Sequence, residues 1–93
     1  MPVLIELEFV GVTAEQYDRV NERVGTLSGH IPDGLLFHSA VASDAGIHIV
    51  DLWETAASFE AFMKGSMQAF QEVGIPEPKS PPQPVEVHNH YVR

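Results

Sequence analysis

Pro2-Val3-Leu4-Ile5-Glu6-Leu7-Glu8-Phe9-Val10 opens the chain with a period of two. Successive side chains of an extended strand point to opposite faces. Val3, Ile5, Leu7 and Phe9 therefore form one wholly apolar face, and Leu4, Glu6, Glu8 and Val10 form the other. A one-sided strand of this kind belongs in a sheet whose apolar face is covered by helices. Gly11 ends it.

The next segment changes period. Thr13 is a good helix N-cap, and Gln16 stands where a capping box needs it. Val12 and Tyr17 have the spacing of a hydrophobic staple. Tyr17, Val20, Val24 and Leu27 then recur at intervals of three and four, and Gly25 is placed to stop the helix. Gly29 to Gly34 is a loop by composition. Leu35–Ala42 and Ile47–Trp53 are strands joined by the turn Ser43-Asp44-Ala45-Gly46, which makes a hairpin. A second helix spans about Ala56 to Val73, capped by Thr55 or Ser58. Its stripe is Phe59, Phe62, Met63, Met67 and Phe70, with Gly65 as an interior weakness. Gly74 ends it. Seven prolines are present in the chain, and five stand in Ile75–Pro84. Lacking N–H groups and fixed in φ, they make that segment a stiff connector. Val85 to Tyr91 closes the chain as a fourth strand, with Glu86, His88 and His90 on one face.

The order β-α-β-β-α-β is the ferredoxin-like pattern. The expected fold is α+β: one four-stranded antiparallel sheet with both helices on one face, in a single domain over residues 1–93. The other face is left open. Alternation assigns Glu6 and Glu8 to that open face, with Leu36, His38 and Ala40 from the second strand. Ile49, Asp51 and Trp53 follow from the third, and Glu86, His88 and His90 from the fourth. Leu35, Phe37, Val41, Val50 and Leu52 are then expected inside, with His48 beside them. Such a mixture of apolar and ionisable groups suits a cavity with a few polar groups better than a plain interface.

Composition narrows the partners. The chain has 93 residues, no cysteine, and 13 acidic against 5 basic residues, a formal net charge of −8. Disulfides and thiolate chemistry are excluded, and a reducing cytoplasm is the expected location. The five cations do not cluster along the sequence, which argues against nucleic acid or an anionic membrane as partner. No apolar run is long enough to span a bilayer, and the N-terminus lacks the pattern of a secretory signal. The small size favours pairing with a second copy.

Val50-Asp51-Leu52-Trp53-Glu54-Thr55, followed by Phe59 and Phe62, resembles the strand-to-helix junction of antibiotic-biosynthesis-monooxygenase-like proteins of the dimeric α/β-barrel superfamily. Pro32-Asp33-Gly34-Leu35-Leu36-Phe37-His38 and the ending Val87-His88-Asn89-His90 resemble small bacterial proteins of the same type. The resemblance implies a homodimer whose two sheets face each other, with a pocket between each sheet and its helices or within the barrel. Such proteins include cofactor-independent oxygenases of polycyclic aromatic substrates, heme-degrading enzymes, lactone isomerases and proteins with no known activity. Trp53 matches the heme-degrading subgroup, but the second helix has no His. The first strand carries Glu6 and Glu8 in place of Asn, which argues against heme degradation.

The candidate catalytic residues are His38, His88 and His90, since imidazole exchanges protons near neutral pH. Asp51 is a candidate for orienting one of them. Trp53 offers a flat wall to an aromatic ligand, and Glu6 and Glu8 are candidate substrate contacts. His88 and His90 could also hold a metal with Glu86 or His38, although no specific metal motif is present. No nucleotide-binding glycine loop or nucleophile elbow is present, so no cofactor is expected. The reading that joins these features is a small dimeric enzyme doing acid/base chemistry on an aromatic or polyketide-like molecule. The alternatives are a non-catalytic dimeric ligand-binding domain and a His-based metal-binding dimer.

Overall fold

The computed structural model of the chain describes residues 1–93, with the side chain of Leu27 excepted. The elements are β1 (Val3–Val10), α1 (Ala14–Val24), β2 (Leu35–Ser43), β3 (Gly46–Trp53), α2 (Ala56–Val73) and β4 (Val85–Glu86), with a short 3-10 turn at Thr26–Ser28. The four strands form one antiparallel sheet in the order β2-β3-β1-β4, which is the ferredoxin-like arrangement.

β1 behaves as its alternation requires. Val3, Ile5, Leu7 and Phe9 are buried and their neighbours exposed. α1 begins with the full capping box: the Thr13 hydroxyl accepts from the Gln16 N–H at 3.1 Å, and Gln16 Oε1 accepts from the Thr13 N–H at 3.0 Å. Thr55 caps α2, accepting from the Ser58 N–H. Phe59 is buried in the core, with Phe62, Met63 and Phe70 packed against it. Met67, expected in that stripe, is exposed instead. The fourth member of the α1 stripe, Leu27, lies outside the described side chains.

Two strands run in the opposite phase to the one expected. β3 pairs with β1 so that Trp53, Asp51, Ile49 and Ile47 stand opposite Val3, Ile5, Leu7 and Phe9. Directly opposed residues share a face, so Ile49, Asp51 and Trp53 lie under the helices, and Val50, Leu52 and His48 lie on the open face. β2 follows β3: His38 is opposite Asp51 and Ala40 opposite Ile49, both on the helical side. Phe37, Ser39 and Val41 therefore point to the open face. An irregularity between Leu35 and Phe37 inserts one residue. It returns Leu35 to the helical side, against Trp53.

The β2–β3 turn tolerates only glycine at position 46. Its φ is +137°, and a Cβ there would stand 2.1 Å from the Phe9 carbonyl oxygen. The proline connector runs along the free edge of β1. The Lys79 N–H donates to the Glu8 carbonyl at 2.7 Å, and further on the Val87 N–H donates to that of Pro2 at 2.9 Å. β4 itself is two residues long rather than seven. Its Glu86 stands opposite Val3, and His88 and His90 lie beyond it in an exposed, irregular tail.

Candidate active site

A cavity of about 470 Å³ lies between the sheet and the helices. Its walls are mostly apolar: Leu7 and Phe9 from β1, Ile47 and Ile49 from β3, Val20 and Val24 from α1, and Phe62, Met63 and Phe70 from α2. The polar lining comes from Tyr17, Asn21, Thr26, His38 and Asp51, so α1 with the turn after it and the β2–β3 pair supply all of it. An apolar chamber with a few convergent polar groups is the usual form of a small-molecule site.

Four of the lining side chains form one hydrogen-bonded chain. Trp53 and Asp51 are two residues apart on β3 and so share its helical face. The Trp53 indole Nε1–H donates to Asp51 Oδ2 at 3.2 Å. The other carboxylate oxygen, Oδ1, is 2.5 Å from His38 Nδ1, across the β2–β3 pair. His38 Nε2 is bonded to the Tyr17 hydroxyl, with the two ring planes within 2° of parallel. Tyr17 is delivered by α1 at its fourth position, fixed by the capping box and by the buried Val12 before the cap. No buried side-chain nitrogen or oxygen is left without a partner among the described residues.

The depth of burial changes along this chain. Trp53 is 1% exposed, and its ring packs on Phe59 and Phe62 at centroid distances of 5.8 and 5.6 Å. The Asp51 side chain is 8% exposed and that of His38 is 32%. Burial raises the Tyr17 phenol above its ordinary range. The Asn21 amide opposes that rise, and the Asp51 and Asp18 carboxylates add to it. The phenol is therefore a neutral O–H at physiological pH.

The expected site residues divide three ways. His38, Asp51 and Trp53 come together, but under the helices rather than on the open face. Glu6 and Glu8 are on the open face as expected, so the sheet separates them from Trp53. There Glu6 faces His48 at 3.7 Å and Glu8 faces Lys79 at 3.8 Å. His88 and His90 are exposed on the tail and line no part of the cavity. Among the described residues, no three His, Asp or Glu side chains are grouped as metal ligands. Tyr17 is the group that sequence reasoning missed. Its staple spacing with Val12 explains its ring, but a Tyr in a stripe of valines also brings a hydroxyl that needs a partner.

Comparison with known proteins places this geometry in a fold. No protein-family model and no curated protein matches the chain. Among solved structures it is similar to SnoaB, a cofactor-independent oxygenase from Streptomyces nogalater. That match has 11% identity over 96% of this chain and 94% of that one, with a TM-score of 0.57. It is also similar to a monooxygenase from the gene ActVA-Orf6 of Streptomyces coelicolor, solved in complex with nanaomycin D. Here the identity is 18% over 99% of this chain and 90% of that one, with a TM-score of 0.53. At such identities the likeness is one of fold: the chain has the ferredoxin-like architecture of antibiotic-biosynthesis-monooxygenase-like proteins, as the junction around Trp53 implied.

Proposed function

We propose that the protein is a small homodimeric, cytoplasmic enzyme of the cofactor-independent monooxygenase type, acting on an aromatic or polyketide-like molecule held in the cavity. The observation that carries this reading is the Tyr17–His38–Asp51 chain at the polar side of an otherwise apolar chamber. A carboxylate-backed imidazole is a general base, and Tyr17 extends its reach into the chamber. The substrate's proton passes to the Tyr17 oxygen as the Tyr17 proton passes to His38 Nε2. The resulting imidazolium is stabilised by Asp51, which stays ionised. The substrate anion, now electron-rich, reduces O₂ and bonds to it, giving a hydroperoxide at a ring carbon. Loss of water turns that carbon into a carbonyl. One oxygen atom is retained, the other leaves as water with the proton returned through Tyr17, and the substrate supplies all the electrons.

Dimerisation is supported by the open face. Phe37 and Val41 of β2 are 45% and 63% exposed there, and Leu4 and Val10 of β1 and Val85 of β4 are exposed on the same face. Exposed apolar groups clustered on one sheet face fit an interface better than water.

The test is oxygen uptake with anthrone, a tricyclic ketone whose enol is a phenol, followed together with quinone formation. Wild-type protein is expected to accelerate both, and His38→Gln to lose about a hundredfold, the usual worth of a positioned base. Acceleration that survives intact in His38→Gln would refute the assignment.

A further inference from the structure

The hydrogen-bonded chain has a direction, and the direction selects the ligand. An ionised carboxylate only accepts. Asp51 therefore requires a hydrogen on Trp53 Nε1, which indole always has, and one on His38 Nδ1. A neutral imidazole protonated at Nδ1 has a lone pair at Nε2. The bond between Nε2 and the Tyr17 hydroxyl must then be donated by tyrosine. With its one hydrogen committed to His38, the Tyr17 oxygen faces the cavity as an acceptor.

We propose that this site binds neutral hydroxyl donors, phenols or enols of up to about three fused rings. It discriminates against two groups of otherwise similar molecules: those that only accept hydrogen bonds and those that carry a carboxylate. The proposal rests on the reading of the cavity as an aromatic-substrate site and adds its recognition rule. An ether or ketone oxygen meets the Tyr17 lone pairs with no hydrogen between them. A carboxylate meets the same lone pairs and the Asp51 carboxylate behind them. Among the described residues, the charged group on the cavity wall is that carboxylate, and no Lys or Arg lines it. The size limit follows from volume. A cavity of about 150 Å³ holds one benzene ring, so the chamber of about 470 Å³ has room for roughly three.

The chain contains its own reporter, since Trp53 is the single tryptophan and lines the cavity. β-Naphthol, its methyl ether and β-naphthoate are titrated at mildly alkaline pH, with Trp53 fluorescence as the readout and calorimetry as a check against optical overlap. β-Naphthol is expected to bind at least about tenfold more tightly than either analogue, the worth of one good hydrogen bond. Tyr17→Phe, which keeps the ring and removes the acceptor, is expected to erase the preference over the ether.

Equal or tighter binding of the ether or the naphthoate by wild-type protein overturns the recognition rule while leaving an aromatic site in place. Failure of all three to bind overturns the rule and the aromatic-substrate reading together. A preference that persists in Tyr17→Phe also overturns the rule, because the hydroxyl is then received elsewhere. Selective binding without oxygen uptake on any phenol supports the rule and removes the oxygenase reading.

Discussion

Asp51→Asn tests the site at its electrostatic root. The amide has the shape of the carboxylate but one face that donates. Trp53 Nε1–H can only donate, so the amide oxygen turns to it and the NH₂ group faces His38. His38 must then present an acceptor at Nδ1 and carry its hydrogen at Nε2, which reverses its bond with Tyr17. The fold has little reason to respond, because every group regains a partner; a loss below about 1 kcal/mol is expected. Catalysis loses the charge that stabilises the imidazolium. At ~4 Å and an effective dielectric of ~20, Coulomb's law gives ~4 kcal/mol for such a pair. The His38 side chain is 32% exposed, so solvent screening removes about half, leaving ~2 kcal/mol. That is about a thirtyfold loss of rate. Long-range proton–nitrogen correlation spectra report imidazole tautomers without any substrate. Among the five histidines, the His38 signals are identified by their absence in His38→Gln. Wild-type protein is expected to show hydrogen at Nδ1 and Asp51→Asn at Nε2. The same tautomer in both proteins would refute the reasoning.

Other outcomes follow from the same geometry. In a Tyr91→Phe background, tyrosinate absorbance reports Tyr17 alone, and its midpoint is expected above the model-compound value of 10.0. A phenol whose folded pKa is raised binds its proton more tightly when folded. Its contribution to stability is thus full below about pH 10 and lost as pH rises through the folded value; a midpoint below 10 would contradict the burial. Gly65 in α2 has open space where a Cβ would go, so Gly65→Ala should stabilise by about 0.5–1 kcal/mol in denaturant titration. Gly46→Ala, forced against the Phe9 carbonyl, should cost more than about 2 kcal/mol. Val41→Lys on the open face should shift the mass measured by light scattering from dimer to monomer, with the far-ultraviolet circular dichroism unchanged.

The fold was legible because its signals are local. The capping box at Thr13 and Gln16, the stop at Gly25, the glycine turn before Ile47 and the alternation of β1 each depend on a few neighbouring residues. The phases of β2 and β3 depend on pairing, and there local polarity misled. Asp51 shares a face with Ile47, Ile49 and Trp53, and by local polarity a carboxylate in the set marks it for the open face. The register with β1 decides otherwise: three large apolar groups opposite Val3, Leu7 and Phe9 outweigh one carboxylate that finds two donors. Once β3 is turned over, β2 must follow, and His38 moves inside with Asp51 as its cross-strand neighbour. The closing strand failed for a different reason. Its alternation is real, but β1 offers it only Val3 and Leu4 as partners, and the connector holds the edge near Glu8. His88 and His90 consequently have no sheet to organise them.

The buried Asp51 is the feature that stability alone does not explain. A carboxylate on the inner face of a central strand must be desolvated, and its hydrogen bonds to His38 and Trp53 at best offset that cost. An apolar side chain at position 51, flanked by Ile49 and Trp53 and opposite Ile5, would continue the core without any such cost. Filling position 38 likewise would seal the chamber from its polar side. What the charged pair adds is something an apolar pair lacks: fixed donor–acceptor directions that converge on Asp51, from a fully buried indole on one side and, through His38, from a phenol at the chamber wall on the other. Groups arranged at a net cost to folding, and aimed into a cavity, belong to the chemistry of the cavity. The same logic separates this pair from Glu6 with His48, where both partners are solvated and the contact costs the fold almost nothing.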